Sequence, residues 1–122
     1  NLEYKTKLYK EYFKGILKTP TNGNYEERKM FLDVLKLVTP LQIELFQFVM
    51  KNPGVVDMNI SKPGTDSSVL RSSILQLENY GLVIGDVYSI TIGGNNGGIP
   101  MALTISEFGR RFHEFCLGNY NK

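Results

Sequence analysis

At 122 residues the chain is sized for a single compact domain with its own core, and 42% hydrophobic against 21% charged residues excludes both a disordered and a fibrous class. Its one cysteine, Cys116, excludes an internal disulfide and a cysteine-rich zinc site and points to a reducing, cytoplasmic setting. The net charge of +2 is unevenly spread: residues 1–53 carry nine Lys/Arg against six Asp/Glu, 54–105 two against four, and 106–122 three against two.

The first element is an amphipathic helix, because Leu8, Tyr9, Tyr12, Phe13, Ile16 and Leu17 recur at helical spacing and form one broad apolar stripe. It stops near Thr19-Pro20, and Thr21-Asn22-Gly23-Asn24 reads as a turn. Asn24 is placed to cap a second helix, with Glu26 and Glu27 in its first turn and Met30, Phe31, Val34 and Leu35 on its buried face. Thr39-Pro40-Leu41-Gln42 then combines a Thr cap, a Pro at the first helical position and a Gln three residues after the cap. Leu41, Leu45, Phe46, Phe48 and Val49 give that third helix its apolar surface, and Asn52-Pro53-Gly54 ends it.

After the short apolar stretch Val55-Val56-Asp57-Met58, the cluster Thr65-Asp66-Ser67-Ser68 opens a helix over 67–80. Leu70, Ile74 and Leu77 turn inward, and Gly81 supplies the left-handed stop. The period then changes to that of strands: Leu82-Val83-Ile84 and 87–92 on one side of the glycine-rich 93–98, and 99–105 on the other, form a hairpin. Ser106 caps a last helix carrying Phe108, Phe112, Phe115 and Cys116 on one side. No apolar run approaches the ~20 residues of a membrane span, and no signal-peptide pattern opens the chain, although a first residue of Asn1 rather than Met leaves open what precedes it.

The fold expected is therefore mainly α with a small β-hairpin, a winged helix-turn-helix over 39–122 preceded by two N-terminal helices over 1–38, packed as one unit. Leu77-Glu78-Asn79-Tyr80-Gly81-Leu82-Val83 resembles the helix-to-wing junction of winged-helix proteins, MarR-type regulators among them. Leu103-Thr104-Ile105-Ser106-Glu107-Phe108-Gly109 resembles their exit from the wing. Together with Val38-Thr39-Pro40-Leu41, Phe112 and Cys116, these stretches over about residues 30 to 117 are similar to the C-terminal half of the bacterial Abi-alpha family. That resemblance implies a role in abortive infection, a form of phage defence, with no catalytic mechanism attached.

Candidate chemistry is sparse. His113 is the only histidine and has no second ligand at metal-binding spacing, and Cys116 falls on an apolar helix face, where a small core residue is the simpler reading. Glu26 and Glu27 point apart on a helix and suit its dipole; Gly93-Gly94-Asn95-Asn96-Gly97-Gly98 lacks the helix and Lys-Ser/Thr pair of a phosphate loop and fits the tip of a wing. No cofactor, metal or small-molecule substrate is called for, and no enzyme.

The surface to weigh is the outward face of the helix over 67–80, namely Ser67, Ser68, Arg71, Ser72, Leu75, Gln76 and Asn79, with Asn95 and Asn96 at the wing tip. Arg71, Gln76 and Asn79 have the groups that read base edges, so a DNA-binding regulator using this helix and the wing over 85–105 is one reading. A single cation, an exposed Leu75 and a wing without Lys or Arg favour the other, a protein partner or a homo-oligomer. Lys7, Lys10, Lys14 and Lys18 line the first helix opposite its apolar stripe, a basic face that is either solvated or turned toward nucleic acid or an anionic membrane surface. If the stripe exceeds what the core covers, a homodimer through helices one and two follows.

Overall fold

The computed structural model describes residues 3–18, 24–52, 56–60, 63–87 and 99–118. The turn at 21–23, the strand residues 88–92 and the glycine-rich tip at 93–98, with Asn95 and Asn96, lie outside them. In chain order the elements are α1 (Glu3–Lys18), α2 (Tyr25–Leu37), α3 (Pro40–Lys51), β1 (Val56–Ile60), α4 (Ser67–Asn79), β2 (Val83–Val87), β3 (Ile99–Ile105) and α5 (Glu107–Phe112), which runs on into a π-helical stretch at His113–Leu117. The protein is mainly helical with a small antiparallel sheet, as the periodicity requires. The hairpin gains a third strand: β3 is central, pairing Val56 with Leu103 on the β1 side and Val83 with Ile105 on the β2 side. The connection between α3 and α4 therefore holds a strand as well as a turn.

The chain divides into two compact units, Asn1–Pro40 with Arg110–Lys122, and Leu41–Gly109. The C-terminal segment thus groups with the N-terminal helices.

In the first unit, α1 buries Leu8 and Tyr12, and α2 buries Arg28, Phe31, Val34 and Leu35. Side chains of α1 also serve the end of α2, whose last carbonyls have no partner within the helix: the Lys5 ammonium donates to the Leu35 carbonyl and the Tyr4 hydroxyl to that of Val38 (3.3 Å). The Tyr12 hydroxyl donates to the Arg28 carbonyl (2.9 Å). Phe115 closes the cluster, its ring edge-on to Tyr12 at 5.6 Å and beside Phe31 at 5.6 Å, with the Arg28 guanidinium 4.8 Å above its centroid. Gly15 leaves space for that ring, since a Cβ there would come within 2.9 Å of it.

Three expectations for these helices are corrected. Phe13 and Leu17 of the α1 stripe are 55% and 80% exposed, and Met30, placed on the buried face of α2, is 55% exposed. Asn24 occupies the cap position of α2 without a side-chain cap hydrogen bond. The inner face of α2 is centred instead on Arg28, Phe31 and Leu35, an i, i+3, i+7 row that includes a charged residue.

In the second unit, Gln42, Leu45, Phe46 and Val49 form the buried row of α3, and Phe48 turns out to solvent at 47% exposure, contrary to its expected place. Leu70, Ile74 and Leu77 of α4 are each 1% exposed, with Ser73 completing the row. Full burial of one such leucine is worth about 1.5–3 kcal/mol. The helix ends in a Schellman arrangement: Gly81 has φ +84°, its amide donates to the Glu78 carbonyl (2.9 Å), and the Leu82 amide reaches back to Leu77 (3.1 Å). Ser106 caps α5 as its position suggested, accepting from the Gly109 amide (2.8 Å) while its hydroxyl lies 2.9 Å from the Leu82 carbonyl oxygen.

Candidate interaction surfaces

The N-terminus of α4 is set by Asp66, whose carboxylate accepts from the Ser68 amide and the Ser68 hydroxyl, both at 2.7 Å. These two hydrogen bonds hold the Asp66 carboxyl below its ordinary value of 3.8. An anion already sits where the helix dipole would attract one, and the Ser68 hydroxyl is turned toward it.

Along the rest of the helix, every residue assigned to the outward face is exposed: Ser67, Ser68, Arg71, Ser72, Leu75, Gln76 and Asn79. Gln76 is partly committed, because its side-chain oxygen accepts from the side-chain amide of Gln42. Gln42 itself is only 1% exposed. Glu78, between the two faces, accepts from the Gly85 amide (3.1 Å) and so ties α4 to β2. What α4 presents outward is one guanidinium at Arg71, the neutral groups of Ser72 and Asn79, and the apolar side chains of Leu75 and Val69, 41% and 49% exposed.

The unit to which α4 belongs holds three Lys/Arg against six Asp/Glu over Leu41–Gly109, a net of −3; the other unit holds eleven against six, a net of +5. The helix with the groups for reading bases thus belongs to the acidic unit, and electrostatic attraction for a polyanion resides in the other.

That basic unit carries a second surface. Tyr12 and Ile16 of α1 and Tyr25 and Leu32 of α2 line a groove of about 360 Å³, and Arg28, Lys29 and Lys36 border it on the α2 side. The one carboxylate along it, Asp33, lies 3.4 Å from Lys29. Outside the groove Phe13 and Leu17 are 55% and 80% exposed, and Tyr25 in its lining is 69% exposed. The sequence showed this apolar stripe; how much of it the core would cover depended on the packing of α2 and of residues 113–117, which periodicity alone does not give.

Cys116 is fully buried, and burial pushes its thiol far above its ordinary value of 9.0. His113 is half-buried, and the same desolvation holds its imidazole below 6.5 against the opposing pull of Glu114. Glu27, assigned to the helix dipole, also accepts from Arg111 at 2.7 Å. Among the described residues no three His, Cys, Asp or Glu side chains converge as ligands would, and no helix is long and apolar enough to cross a membrane.

Among the described residues the buried polar side chains are Gln42, Arg28 and Ser73, and the first two carried a signal in the sequence. Gln42 stands i, i+3, i+4 and i+7 with Leu45, Phe46 and Val49, and Arg28 stands i, i+3 and i+7 with Phe31 and Leu35, so each belongs to an inward row by spacing alone. No protein-family model matches the chain, and no curated protein and no solved structure matches it either.

Proposed function

We propose that the chain is a non-catalytic winged-helix interaction module that works through protein contacts in the cytoplasm, in a setting like that of the Abi-alpha phage-defence proteins its sequence resembles. One observation carries this reading: large apolar side chains stand in solvent in rows where one partner surface could cover several at once. Phe13 and Leu17 are one turn apart on α1, and Met30 and Leu37 two turns apart on α2, all four more than half exposed. Single exposed apolar residues are ordinary; aligned ones are what a protein interface uses.

The alternative is a DNA-binding regulator using α4 and the wing, and the exposure of Arg71, Ser72 and Asn79 on one helix face favours it. Against it, specific duplex binders typically neutralise on the order of 6–10 phosphates. Helix α4 offers one cation in a unit of net charge −3. Fluorescence anisotropy with a labelled random duplex at low salt separates the two. The expected result is no saturable binding, and no difference between the parent and Arg71→Ala. Tight binding that collapses with added salt and weakens in Arg71→Ala would replace the interaction reading by the regulator.

A further inference from the structure

On α1 the buried residues Leu8 and Tyr12 occupy one side, and the apolar arc continues past them through Ile16 and Phe13 to Leu17 before it meets Lys10 and Lys14. On α2 the groove side runs through Tyr25 and Leu32 and is bordered by Lys29 and Lys36. Tyr12 and Ile16 of the first arc and Tyr25 and Leu32 of the second line a common trough, apolar along its floor and cationic along its α2 edge.

Building on the reading of the chain as a protein-contact module, we propose that this trough docks an amphipathic helix of another protein, one whose apolar stripe is flanked by Asp and Glu. Three observations select that occupant. The surface is concave between two rods, which suits a third rod laid along them and not a flat bilayer. The exposed apolar side chains of Phe13 and Leu17 extend the surface beyond the 360 Å³ groove, more than a small ligand would cover. The unit's net charge of +5 opposes a second copy of the same face and complements an acidic partner.

The test uses the whole chain and a designed, labelled peptide of about 20 residues with Leu at i, i+3, i+4 and i+7 and Glu at the flanking positions, long enough for about five helical turns. A sister peptide keeps the Leu stripe and replaces every Glu by Lys. The acidic peptide should bind saturably, the basic one at least about tenfold more weakly, and Ile16→Glu and Leu32→Glu should each weaken the acidic peptide by about tenfold or more. Lys36→Glu, at an exposed position and so harmless to folding, should narrow the gap between the two peptides. No saturable binding, equal binding of both peptides, or binding indifferent to all three substitutions overturns the proposal. So does light scattering that shows a dimer dissociated by Ile16→Glu, which would place a second copy in the trough and leave the protein-contact reading standing. Binding to phosphatidylglycerol vesicles lost in the same variants would overturn both.

Discussion

At the scale of single residues, Gly109 sits where a side chain has no room. A Cβ built there would lie 2.0 Å from the carbonyl oxygen of Leu82, a backbone atom with no rotamer to yield. Gly109→Ala is therefore expected to destabilise the fold by at least about 2 kcal/mol, read as a fall in thermal midpoint with the far-UV spectrum retained. Gly109 lies within the stretch on which the winged-helix resemblance rests, and the contact gives that glycine a physical reason. Cys116 makes a second prediction. A thiol fully buried and held in its protonated form should react with a disulfide reagent near neutral pH only as fast as the protein opens, and stoichiometrically in urea. Fast labelling of the folded chain would contradict that placement.

At the scale of elements, the helices were readable, their caps and covered faces only in part. The Gly81 stop is a case where local chemistry decides: at φ +84° an L side chain is strained, and Gly81→Ala should cost about 1 kcal/mol in urea denaturation, whereas Ala at an ordinary helical position would not. Likewise Ser106, Asp66 and the row Leu70, Ile74, Leu77 took the positions their spacing assigned. Strand β1 was legible and overlooked. Val56, Met58 and Ile60 alternate with Asp57 and Asn59 in the period of a strand, but the seven residues between Pro53-Gly54 and Lys62-Pro63-Gly64 read only as a short apolar stretch until β3 gives 56–60 their hydrogen-bonding partners. The π-helical stretch was not legible at all. It brings Leu117 into the core beside Cys116 and leaves Phe115 half-buried, a departure from the 3.6-residue period on which the α5 reading relied.

At the scale of the whole molecule, which residues of α1 meet solvent could not be read from one helix, because coverage of Phe13 and Leu17 depends on elements distant in sequence. The α4 face, by contrast, was readable apart from the exposed Val69 and the buried Ser73, since Leu70, Ile74 and Leu77 fix which side turns in and therefore which turns out. The response of stability to pH follows from His113. Burial holds its imidazole below 6.5, so just under that value the unfolded chain binds more protons than the folded one. Its contribution is complete above about pH 6.5 and is lost as pH falls through that value toward the lower folded one. Urea midpoints should therefore drop on acidification through this window, above the range where carboxylates titrate, and His113→Gln should flatten that limb; a parent curve level from neutral pH to about 5 would refute it.

The placement of β3 at the centre of the sheet bears on how the chain is made. Residues 99–105 are the shared partner of two strands translated earlier, with Val56 waiting for Leu103, and the residues that follow complete the other unit. Without β3 and the residues after it neither unit can close, and β1 and β2 are unpaired ribbons open to mispairing with other chains. Truncation just before residue 99 thus removes not a tail but a keystone: the central strand of the sheet and the helical segment that completes the first unit.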